Sequence, residues 1–60
     1  MGKIYSLYYI NYCIERDVTK DELINTMNKM NLRWEYNEKT KDFEIFEPCF
    51  WVYRERSFFE

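Results

Sequence analysis

The sequence predicts an α+β domain in the order β-α-β-β-β, with one helix packed on one face of a mostly antiparallel sheet of three to four strands. Three observations carry that prediction. Residues 3–15 alternate β-branched and aromatic side chains at a period of two, as a strand does. Residues 19–30 open on a capping-box pattern and continue as an apolar stripe at helical spacing. Residues 33–47 hold two short alternating runs around a polar connection, the pattern of a hairpin.

In the first run Ile4, Tyr8, Ile10, Tyr12 and Ile14 share a side with Ser6, while Tyr5, Leu7, Tyr9 and Cys13 share the other with Asn11. Both sides are apolar, which predicts one long strand over about 3–15, covered on both faces. The helix is expected over about 20–30. Thr19 is its N-cap, Glu22 completes the capping box, and Val18 and Leu23 stand at the two staple positions. Asp21 and Glu22 suit the positive end of the helix dipole and Lys29 the negative end. Leu23, Ile24, Met27 and Met30 form the buried stripe. Asn31 suits a left-handed cap, with Leu32 folding back on Met27.

The hairpin is expected over about 33–47 around the connection Glu38-Lys39-Thr40-Lys41. Placing Asn37 opposite Asp42 puts Tyr36 opposite Phe43 and Trp34 opposite Ile45, so four apolar side chains meet the helix. The same register sets Glu35 opposite Glu44, a like-charge pair that costs little in water. Pro48 breaks the ladder, and a last strand is expected over about 50–56. Phe50 and Val52 share one of its faces, Trp51 and Tyr53 the other. No linker or repeat interrupts 1–60, which reads as a single domain.

The chain has 9 Lys+Arg, 11 Asp+Glu and no His, for a net charge of −2. Its 6 Tyr, 5 Phe and 2 Trp make 22% of the residues aromatic, which argues against disorder. One Gly and one Pro exclude a glycine-rich phosphate loop. The lack of His removes the commonest general base and the Ser-His and Cys-His nucleophile pairs. Two cysteines, Cys13 and Cys49, without His cannot build a tetrahedral zinc site. Helix capping and solvation account for the carboxylates Glu15, Asp17, Asp21 and Glu22. No catalytic residue, cofactor or metal is therefore expected, and the protein does not read as an enzyme. With no secretory signal and no apolar span, the expected setting is cytoplasmic, with no membrane partner and both cysteines as small buried hydrophobes.

Folding buries roughly 6,800 Å², and if a little over half of that is apolar it contributes about 90–100 kcal/mol at ~25 cal/mol per Å², against roughly 90 kcal/mol for ordering the chain. Terms so nearly balanced favour a second source of burial, and self-association as a homodimer is the most economical. One helix covers one side of the sheet, leaving a surplus aromatic face. The interface residues expected there are Tyr5, Tyr9, Trp51, Tyr53, Phe58 and Phe59, serving a second copy or another protein. The alternative is a single-stranded nucleic-acid binder that stacks bases on Trp51 and Tyr53 and meets phosphates with Arg54 and Arg56. Net negative charge and the nearby Glu47, Glu55 and Glu60 weigh against it. Absence of Ala, Gln and His with abundant Ile, Asn, Lys, Tyr, Phe and Glu matches an A/T-rich coding sequence. That composition and size suit a phage or mobile-element accessory protein that inhibits a host enzyme or defence system.

Overall fold

The run 3–15, expected to be one strand, folds back on itself. In the computed structural model, which describes residues 2–55, it forms β1 (Tyr5–Tyr9) and β2 (Tyr12–Val18), joined by the two-residue turn Ile10-Asn11. Then follow α1 (Lys20–Lys29), β3 (Trp34–Asn37), β4 (Asp42–Ile45) and β5 (Phe50–Arg54). The class is α+β as expected, with one strand more than the predicted order. The strands form a three-stranded antiparallel sheet in the order β2-β1-β5 and a separate two-stranded sheet, β3-β4.

The turn escapes sequence patterns because it carries no glycine: Ile10 itself takes a left-handed φ of 55°, where a β-branched residue is disfavoured. Tertiary bonds hold it there. The Ile10 N–H donates to the Cys49 carbonyl at 2.8 Å, and the Trp51 indole N–H donates to the Ile10 carbonyl at 2.8 Å. Beyond the turn, β2 slips twice against β1, between the pairs Tyr8↔Cys13, Leu7↔Glu15 and Tyr5↔Val18. Asp17 sits in the second irregularity at φ 55°, its N–H donating to Ser6 Oγ. Such bulges blunt an edge strand against pairing with another chain.

The helix follows its sequence signals closely. Thr19 Oγ1 accepts from the Glu22 N–H at 3.1 Å, and Glu22 Oε1 accepts from the Thr19 N–H at 2.9 Å. That second bond holds the Glu22 carboxyl below the usual carboxylate range, so its contribution is present at neutral pH and lost on acidification through the lowered value. At the other end Asn31 takes φ 58°, Leu32 N–H donates to the Met27 carbonyl, and Asn31 N–H donates to the Asn28 carbonyl. These two bonds make a Schellman motif. Met30, expected in the buried stripe, is exposed because the helix stops at Lys29 and Met30 caps it. Replacing Thr19 with Ala should cost about 1 kcal/mol. A urea titration that finds no loss would show that the box contributes nothing.

The β3–β4 hairpin has the expected register: Trp34↔Ile45, Glu35↔Glu44, Tyr36↔Phe43 and Asn37↔Asp42. Asn37 Oδ1 accepts from the Lys39 and Thr40 N–H groups, and Lys41 closes the loop at φ 63°.

The core is Tyr5, Leu7, Leu23, Met27 and Phe43, bordered by half-buried Ile14, Val18, Ile24, Trp34, Tyr36 and Val52 among others. Polar bonds at its rim tie the elements together. Thr26 donates to Glu15 Oε1, the Trp34 indole donates to Asn28 Oδ1, and Lys20 Nζ lies 4.1 Å from the centre of the Tyr36 ring. No helix among the described residues is long and apolar enough to cross a membrane.

Candidate functional site

Strand alternation sorts the side chains of the three-stranded sheet into two faces. Direct pairing of Tyr5↔Arg54, Leu7↔Val52 and Tyr9↔Phe50 places these six on the core side. The pairs Ser6↔Tyr53 and Tyr8↔Trp51 lie on the outer side, joined by Cys13 opposite Tyr8. Tyr8 and Trp51 stack with ring centres 4.4 Å apart and planes 9° from parallel. Trp51 is 44% and Tyr53 51% exposed. At the turn end Tyr9 (42%), Ile10 (52%) and Tyr12 (71%) continue the apolar surface around the tip, with Tyr9 against Phe50 at 4.8 Å.

Tyr5, expected on the exposed face, belongs to the core and is 3% exposed. Its ring meets Phe43 edge-on at 5.1 Å, and its hydroxyl donates to the Lys41 carbonyl at 2.6 Å. Burial first, then the neighbouring Tyr36 hydroxyl, pushes its phenol up to about 12. The misplacement has one cause. One helix and the hairpin both lie on the side that takes Tyr5 and Leu7, so the outer face falls to their alternates. Tyr8, Ile10 and Tyr12 are the aromatic and apolar positions the sequence reading left out of the site. The period-two register that pairs Tyr8 with Trp51 was the signal for the first. The other two need the turn.

Arg54 also lies apart from Trp51 and Tyr53. It is on the core side, its side chain only 9% exposed, with Nε donating to Asp42 Oδ1 at 2.9 Å. The stacking-plus-phosphate arrangement therefore loses its first arginine to the fold. Arg56, Phe58 and Phe59 lie outside the described residues. Arg16 lies beside Cys13 of the outer face, and its hydrogen bond with Cys13 holds it above the ordinary arginine value.

Both cysteines are free. Cys13 is half-buried, whereas Cys49, expected to be buried, is exposed in the loop before β5 at φ 72°. They stand two strands apart, on the order of 10 Å, too far for a disulfide without backbone movement.

Elsewhere the surface has an open concavity of about 700 Å³ along the β3–β4 hairpin. Carboxylates Glu35, Glu38, Asp42 and Glu44 line it with Lys39. Among the described residues no group of three or more His, Cys, Asp or Glu is placed to hold a metal ion. Glu47, at the hairpin's open end, accepts from Arg33 Nε at 2.9 Å, which lowers its carboxyl below the usual range. The arrangement on the outer face and turn has the chemistry of a contact surface: large aromatic area, polar tips and few charges. In comparisons with protein families, with curated proteins and with solved structures, nothing was found that matches the chain.

Proposed function

We propose that the protein is a non-catalytic interaction module that docks a protein on the outer face and turn end of its three-stranded sheet. The observation that supports this reading is the exposed pair Trp51 and Tyr53 beside the Tyr8–Trp51 stack, on a face that receives neither the helix nor the hairpin. Tyr and Trp give large contact area at low entropic cost, and they are enriched among the residues that dominate binding. This reading assigns the contact to exposed Tyr9, Trp51 and Tyr53 and leaves out Tyr5, which is buried in the core. The setting we attach to this activity is a phage or mobile-element accessory protein that acts in the cytoplasm by occupying another protein.

Tyr53→Lys tests the reading, because it puts a charge on the face while leaving the buried side of β5 unchanged. The parent chain and the variant are immobilised and exposed to a lysate that also contains a tagged copy of the parent. The parent is expected to retain protein, tagged copy or other, that the folded variant releases. Identical retention by both baits would sink the proposal.

A further inference from the structure

The reversal at Ile10-Asn11 opposes the local sequence. Residues 4–14 carry the period-two pattern of a single strand straight across it, and of the two turn residues only Asn11 has a turn preference. Ile10 alone of the pair is left-handed, at φ 55°. Those are the φ signs of a type II′ turn, in which glycine occupies the first central position. A β-branched residue is strained there, and extending residues 10 and 11 releases that strain.

The placing of β1 makes such an extension productive. It is the central strand of its sheet, between β2 and β5, yet it joins the other elements through these two residues alone. Tyr5, Ser6 and Leu7 are buried. Pairing with β5 also runs on past the end of β1. The Ile10 N–H donates to the Cys49 carbonyl, in register with Tyr8↔Trp51 and Tyr9↔Phe50.

We infer that two copies of the chain exchange β1: residues 10 and 11 extend, and β1 of each copy takes its place between β2 and β5 of the other. The contacts of β1 then form between copies, including Leu7 beside Val52, the Tyr5 hydroxyl on the Lys41 carbonyl and the Tyr8–Trp51 stack. The exchange needs no contact area beyond what the monomer already buries, and a short strained hinge favours it. Residues 3–15 become in this form the single strand that their periodicity predicts. Joining two chains opposes it, so concentration and the strain at Ile10 set the balance. The exchange is independent of what docks on the outer face.

Size-exclusion chromatography in reducing buffer tests this after refolding from urea at about 1 mM, the range in which a partner's strand competes with the chain's own. The parent should yield a dimer that survives dilution and reverts to monomer no faster than the monomer unfolds, because β1 must leave one core to enter another. Ile10→Gly relieves the turn in both copies, so it should lower the association constant about thirtyfold or more. It should melt no lower than the parent monomer, which separates a relaxed turn from lost folding. Absence of a dimer from the refolded parent overturns the inference. So does a dimer that dissociates sooner than the monomer unfolds, which is a surface contact, or one that Ile10→Gly leaves unchanged.

Discussion

Leu7→Ala is expected to remove about 3–4 kcal/mol of folding stability, most of what a domain this small possesses. Leu7 is fully buried in β1, the central strand, with Val52 and Glu15 as its cross-strand neighbours. It shares the core with Leu23 and Met27, which are also without exposure. Removing three side-chain carbons leaves a cavity at the junction of sheet and helix, where neither layer can close in without disturbing its hydrogen bonds. Chemical denaturation followed by circular dichroism reads the loss directly. A change below about 1 kcal/mol would mean that the helix does not pack on β1 as described.

Tyr5→Phe is expected to reverse the order of stabilities with pH. At pH 8 the variant lacks the hydrogen bond to the Lys41 carbonyl and should be weaker by about 1 kcal/mol. The parent phenol has its pKa raised from 10.0 to about 12 in the fold, chiefly by burial. The unfolded chain therefore loses this proton first as pH rises. The contribution is fully present below pH 10 and is lost as pH climbs towards 12, amounting to roughly 2–3 kcal/mol. Phenylalanine does not titrate, so the two denaturation midpoints should cross at about pH 11. Parallel curves for parent and variant would show that Tyr5 is not the buried group it is here. The Tyr5–Phe43 edge contact should survive, because the ring remains.

The elements that were legible in the sequence are those whose signals are local. Thr19 and Glu22 satisfy each other across one helical turn, and Asn31 supplies the left-handed residue that ends the helix. Asn37 organises the four-residue loop with its own side chain, so the pairing of Tyr36 with Phe43 and Trp34 with Ile45 follows from counting outward. Each of these bonds joins residues within about five positions and leaves its residue types in plain view.

The candidate site was legible only in part, since Trp51 and Tyr53 could be assigned to one face of a strand while the identity of that face could not. Period two shows which residues stand together, and a two-sided apolar strand such as β1 does not say which side is inward. The helix and hairpin settle it by landing on Tyr5 and Leu7, which also turns Arg54 towards Asp42 and leaves Tyr8 beneath Trp51.

The sequence by itself determined the α+β class, the helix with both caps and the β3–β4 register, because local hydrogen bonds and periodicity decide those. Only the tertiary structure decided the reversal at Ile10 and the face that remains open. A left-handed isoleucine has no local bond to favour it. It is held by Cys49 and Trp51, from nearly forty residues away in the chain, which become neighbours only when β5 pairs with β1.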